Sequence, residues 1–327
     1  MAAIETIVGF VILLFAGDAL VRGAAAFAER LRIPPLVIGL TVVAFGTSLP
    51  ELFVSTGAVL ADAPTIALGN VVGSNIANIW LVLGLPALLA PVACRAMRLK
   101  RNLAAMLSAT LLLIALSIDG RIDQLDGLFF IAGLALFLGW SWRDARRHPE
   151  AAREFMEFEE ELGITRLSRA RALLLVIGGL VGLALGAHLL IEGAVALARS
   201  FGVAEAVIGL TVVAIGTSLP ELVTCAMAAW RRHDDVAIGN VIGSNLFNIF
   251  AILGISSLLG TVPVPIAFRS IDYWVMLAAS AMLIPYAVSR RPIGRITGLL
   301  FFACYLLYMA WLAHDGRSLA YMTGALP

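Results

Sequence analysis

Residues 37–52 read VIGLTVVAFGTSLPEL and residues 207–222 read VIGLTVVAIGTSLPEL, fifteen identities in sixteen positions, with Phe45 against Ile215 as the exception. At the same offset of 170 residues, GNVVGSNIAN (69–78) meets GNVIGSNLFN (239–248), with seven identities in ten. Two matches in one register mean that the chain carries one structural unit twice, and any fold proposed for it must place both copies.

Composition decides the medium in which those copies fold. Of the 327 residues, 61% are apolar and 14% charged, and the mean hydropathy is +0.95. Such a chain cannot cover a surface with water-facing side chains, which excludes a disordered, secreted, nucleic-acid-binding or peripheral protein. The segments 33–50, 63–94, 102–118, 127–142, 206–220, 236–268, 273–289 and 296–313 contain no Asp, Glu, Lys or Arg, and other apolar runs are broken by single charges such as Asp18 or Glu192. A crossing needs roughly 17–25 residues. The expectation is therefore an all-α polytopic membrane protein with ten helices near 5–26, 36–60, 67–90, 102–118, 125–142, 172–195, 207–230, 236–259, 270–289 and 293–313. The first segment has neither a basic leader nor a small-residue cleavage site, and is expected to stay as a span.

Each copy then holds five crossings, an odd number, so equivalent elements enter the membrane from opposite sides. That is an inverted repeat, an architecture that puts substrate at the midplane between halves and alternates access. The expected division is 1–142 for the first repeat, 143–171 for a polar linker and 172–327 for the second repeat. If the N-terminus is outside, eighteen of the 23 basic residues fall in cytoplasmic loops. The positive-inside rule thus predicts both termini outside the cell inner (plasma) membrane and a cytoplasmic linker whose charges form a solvated face.

The repeats place unusual chemistry at the bilayer centre. Pro50 and Pro220 lack an N–H and clash one turn back, releasing the carbonyls of Gly46 and Gly216 and bending each segment. Loosened backbone survives at this depth only when buried or when it finds a ligand. Glu51 follows Thr47 by four residues and Ser48 by three, and Ser74 with Asn78, like Ser244 with Asn248, are spaced i, i+4. Two carboxylates, hydroxyls, amides and carbonyls form an all-oxygen set suited to a hard cation. Neither repeat motif contains a Lys or Arg to neutralise Glu51 and Glu221. Their charge of −2 matches one Ca²⁺, several Na⁺ or protons, and the bland alternative is a pair of protonated acids in a packed bundle.

The paired GTSLPE and GNVxGSNxxN motifs resemble the two alpha-repeats of the cation/Ca²⁺ exchanger superfamily, in particular its prokaryotic sodium/calcium exchanger-like branch. The resemblance spans both halves apart from 143–171. It implies that Glu51 and Glu221 bind the ions, joined by the backbone carbonyls of Thr47 and Thr217 and the hydroxyls of Ser48 and Ser218. It further implies the carbonyls of Ala44 and Ala214, with Ser74, Asn78, Ser244 and Asn248 from the second motif. The implied activity is antiport of Ca²⁺ against Na⁺ as transported ions, with no cofactor, the first and sixth helices sliding across a rigid remainder. Asn248 stands where the K⁺-co-transporting branch carries an acid, which implies transport independent of K⁺.

Other features have plainer readings. Gly69 with Gly73, and Gly239 with Gly243, have the GxxxG spacing of close helix packing. Asn70 and Asn240 are equally suited to capping, to helix-to-helix hydrogen bonds or to neighbouring an ion. Cys94, Cys225 and Cys304 match no metal or redox spacing and read as small apolar residues. At the repeat offset Asp18 meets His188 and Arg22 meets Glu192, predicting an i, i+4 polar pair on each of the first and sixth helices. Two other functions remain open: a Ca²⁺/H⁺ antiporter on the same scaffold, although such exchangers usually carry an acid in the second motif, and an intramembrane hydrolase using Ser48 or Ser218 with His188, for which no triad exists.

Overall fold

The computed structural model describes residues 2–31, 33–94, 98–147, 167–200 and 216–314. Most of the linker, the first part of the seventh span and with it Ala214 lie outside the described residues. The helices are α1 (Ala2–Leu31), α2 (Leu36–Thr47 and Leu49–Leu60), α3 (Pro64–Leu89), α4 (Leu99–Leu116), α5 (Gln124–Arg147), α6 (Arg169–Ser200), α7 (Leu219–Trp230 in its described part), α8 (Asp234–Leu259), α9 (Phe268–Ser289) and α10 (Arg295–His314). The chain is an all-α polytopic membrane protein of ten helices in two inverted five-helix repeats.

The inversion is visible in packing. Where α1 meets α6, Gly9 lies against Leu190, Leu20 against Gly179 and Gly23 against Val176. Rising numbers on one helix meet falling numbers on the other, so these repeat-related helices run antiparallel. The small residues let the backbones approach without a side chain between them, which is how helices associate where lipid removes the hydrophobic drive. Two short β pairings, one at each end of the bundle, join the loops between halves: Arg121–Ile122 with Val262–Pro263, and Val92 with Ile293. Val92 and Val262 are themselves 170 residues apart.

Burial separates centre from rim. The apolar stretch of α8 is buried along its length and that of α3 along most of it, whereas α1, α5, α6 and α10 bury about a third or less and offer Phe15, Leu136, Leu174 and Ile296 outward. α8 also lies close against α2: a Cβ on Gly239 would stand 2.6 Å from the Leu36 carbonyl, and one on Gly243 2.6 Å from Ala44 Cβ. The GxxxG reading thus holds for α8 against α2. On α3, nothing among the described residues stands within 4 Å of where a Cβ on Gly73 would sit.

Two boundaries shift. α5 continues to Arg147, past the expected start of the linker at 143, because Asp144 is gripped by Arg98, just before α4, and by Arg101 in its first turn, and Arg101 lies 3.7 Å over the Trp140 ring. α6 begins at Arg169, its first turn organised by Ser168, whose hydroxyl accepts from the Arg171 N–H at 3.3 Å. Cys94 and Cys225 are buried and Cys304 half-buried. Burial pushes the Cys94 thiol up to about 12, so it stays protonated and unreactive.

Candidate functional site between the halves

Both GTSLPE segments break at the serine. Ser48 leaves the helix with φ −85° and ψ 6°, Ser218 with φ −87° and ψ 6°, and a new helix starts one residue later with proline in its first two positions. In α2 the two pieces meet at 45°. Proline fits the start of a helix because an N–H there has no partner to lose. The restart gives each acid a favourable place, since Glu51 and Glu221 sit in the first turn of the new helix, near its positive end.

Each acid is 1% exposed, and among the described residues neither has an ion-pair partner. The two carboxylates lie within electrostatic reach of one another. The hydroxyl of Ser48 crosses between halves to donate to Glu221 Oε1 at 3.1 Å, and the buried Ser244 hydroxyl has no hydrogen-bond partner among the described residues. Sequence spacing on an unbroken helix would have put Thr47 and Ser48 on the face of Glu51. The break at Ser48 turns them instead toward the second half, where the Thr47 hydroxyl meets Asn240 Oδ1 at 3.2 Å.

Of the remaining expected residues, Ser74, Asn78, Ser218 and Asn248 are all buried, and Thr217 is half-buried. The Ala44 carbonyl already accepts from the Ser48 N–H at 3.0 Å and from the Thr47 hydroxyl at 3.4 Å. Asn70 caps no helix. It donates to the Glu51 carbonyl at 3.1 Å and to Ser55 Oγ at 2.9 Å, tying α3 to α2. Two asparagines that spacing had not singled out join the group: Asn245 accepts from Asn78 and Asn75 from Asn248, each at 3.0 Å. The signal for them was present, because GSN recurs unchanged in both halves.

What marks this region chemically is a set of buried oxygens left over after internal bonding. Among the described residues, Glu51 Oε2, Glu221 Oε2, Asn78 Oδ1, Asn248 Oδ1 and Ser218 Oγ have no hydrogen-bond partner. A buried acceptor without a donor is costly, and several together with two acids form a region of negative potential that a cation would stabilise. α8 loosens here as well, widening into a π-helical turn over Asn248–Leu253, the kind of irregularity that re-aims side chains at functional places.

The sequence profile described as "Sodium/calcium exchanger protein" matches residues 1–143 and 171–313, the two halves without the linker. The chain belongs to the sodium/calcium exchanger family. Membership makes it an integral-membrane cation/Ca²⁺ antiporter, not an enzyme. Among its relatives, the putative antiporter CaxA of Alkalimonas amylolytica is 37% identical over 94% of this chain and 97% of its own length. The sodium/calcium exchanger MaX1 of Methanosarcina acetivorans is 32% identical over 93% of this chain and 96% of its own. Among solved structures, the sodium-calcium exchanger NCX_Mj soaked with zero Na⁺ and Ca²⁺ superposes with a TM-score of 0.82 at 32% identity, covering 95% of this chain and 98% of that one. In the present chain the polar pairs on α1 and α6 exist as spacing implied, Asp18 to Arg22 at 3.6 Å and His188 to Glu192 at 3.5 Å. Asp18 also bonds Arg231, at the end of α7.

Proposed function

We propose that the chain exchanges Na⁺ for Ca²⁺ by alternating access, with the ions bound between the halves at Glu51, Glu221, Ser48, Ser218, Ser74, Ser244, Asn78 and Asn248 and at the carbonyls of Ala44, Ala214, Thr47 and Thr217. The observation that carries this reading is the pair of acids, buried without a cationic partner in matching helix breaks, each with an unbonded carboxylate oxygen. One Ca²⁺ neutralises them. Na⁺ ions do the same at overlapping positions, so the two substrates compete for one charge balance. A further monovalent ion beside Ca²⁺ would be an uncompensated buried charge, since Asn78 and Asn248 offer only neutral carbonyls, and transport is therefore independent of K⁺. The units 1–142 and 172–327, in the cell inner membrane with both termini outside and 143–171 cytoplasmic, supply the two sides of the site.

The test is ⁴⁵Ca²⁺ uptake into proteoliposomes under an imposed Na⁺ gradient, with and without choline replacing K⁺, and then under a pH gradient. Uptake driven by Na⁺ and unchanged in choline is expected. Uptake driven by the pH gradient alone would replace the reading with Ca²⁺/H⁺ exchange.

A further inference from the structure

Where α3 crosses α8, four buried asparagines form two bonded pairs related by the repeat, and in both pairs the bond has the same polarity. Asn78 Nδ2 donates to Asn245 Oδ1, and Asn248 Nδ2 donates to Asn75 Oδ1. The accepting residues spend their own N–H groups on other acceptors. Asn75 Nδ2 points to Met276 Sδ of α9 at 3.6 Å, and Asn245 Nδ2 to Met106 Sδ of α4 at 3.5 Å and to the Asn75 carbonyl at 3.4 Å. Met106 and Met276 are fully buried and 170 residues apart.

A side-chain amide has a donor end and an acceptor end of nearly the same shape, so packing cannot decide which end faces a buried cation; bonding on the far side can. Thioether sulfur accepts and never donates. Each methionine therefore suits only the N–H₂ end of the outer asparagine, whose oxygen then suits only the N–H₂ end of the inner one. What remains is Oδ1 of Asn78 and Oδ1 of Asn248, both buried and without a hydrogen-bond partner among the described residues. We propose that Asn75 and Asn245, backed by Met276 and Met106, are positioning residues that keep the carbonyl ends of Asn248 and Asn78 toward the transported cation. This rests on the ion-site reading above. Each relay crosses from one half to the other and back, so amide polarity in one half is fixed by the other.

The experiment is isothermal titration of the purified full chain with Ca²⁺ in Na⁺-free buffer. Asn75→Leu keeps the volume but removes the acceptor, letting Asn248 turn its N–H₂ toward the cation, and should weaken Ca²⁺ binding about tenfold. In an Asn248→Asp background the same change should cost less than about twofold, because a carboxylate has oxygen at both ends. Asn78→Asp with Asn245→Leu is the mirror case. Asn75→Asp, the same shape with the acceptor kept, should bind Ca²⁺ at least as well as the wild type, and it serves if the leucine variant does not fold. Equal losses from Asn75→Leu in both backgrounds, no loss in either, or a tenfold loss in Asn75→Asp would overturn the relay. If the wild type binds no Ca²⁺, or Asn248→Leu leaves binding unchanged, it is the ion site itself that fails.

Discussion

The two halves share a motif almost letter for letter and use it differently. In the first, Asn70 donates to the Glu51 carbonyl and to Ser55; in the second, Asn240 at the equivalent place accepts from the Thr47 hydroxyl of the other half, and its Nδ2 has no hydrogen-bond partner among the described residues. One atom accounts for much of this. Cys225 stands at the repeat position of Ser55, and a thiol is a weak acceptor for an amide. The serines diverge too, Ser48 reaching Glu221 and Ser218 reaching no partner among the described residues. For the serines, which stand in identical motifs, equal sequence has not produced equal bonding, so their contacts belong to an arrangement of the halves, and an exchange of roles would give a second arrangement of the same chain. Such bistability is what alternating access between inverted repeats requires.

The acids are where the halves should still behave alike. Glu51→Gln and Glu221→Gln each leave a net charge of −1 for a +2 ion, and each should abolish Ca²⁺ uptake into proteoliposomes, by about a hundredfold or more, while protein of normal elution volume is recovered. Near-normal uptake in one of the two would mean that the asymmetry extends to the ligands themselves.

The serines should behave differently. In protein stripped of Na⁺ and Ca²⁺, Ser48→Ala removes a bond to a buried carboxylate, worth about 1.5–3 kcal/mol, and should lower the midpoint of thermal unfolding by a few °C. Ser218→Ala removes a hydroxyl with nothing to lose and should leave that midpoint within about 1 °C. Equal shifts would erase the distinction between the halves.

A smaller effect is expected between α1 and the core. Asp18 is shared by Arg22 of its own helix and Arg231 of the other half, in a partly exposed setting where such pairs are worth up to about 1 kcal/mol. Asp18→Asn should change the exchange rate by about two- to fivefold and leave the Ca²⁺ dissociation constant unaltered. A large loss of affinity would move Asp18 into the site.

Most of the architecture was legible because spans are long, charge-free and repeated: the 170-residue register alone announced two copies, and an odd number of spans announced their inversion. Ends were less legible. α1 extends over Ala2–Leu31, beyond the expected 5–26, because a helix does not stop bonding where the hydrocarbon stops, and α5 overran its boundary through Asp144, whose partners lie more than forty residues away. Of the site, the acids and serines could be read from their neighbours, since proline beside an acid at membrane depth has few structural uses. Asn75 and Asn245 could not. Spacing picks out Ser74 and Asn78 as i, i+4 partners on one helix, whereas the Asn pairs form between helices more than 160 residues apart in sequence. The Asp18–Arg231 bond was hidden for the same reason, its partners lying 213 residues apart.

On the proposed function, Glu51 and Glu221, one from each half, make a single Ca²⁺ site. Calorimetric Ca²⁺ titration of the wild type and of the two glutamine variants in Na⁺-free buffer measures that without reference to transport. One Ca²⁺ per chain is expected in the wild type, displaced by added Na⁺, and no measurable binding in either variant. Retained one-to-one binding in Glu51→Gln or in Glu221→Gln would contradict it, since a site that survives the loss of one acid is not shared between the halves.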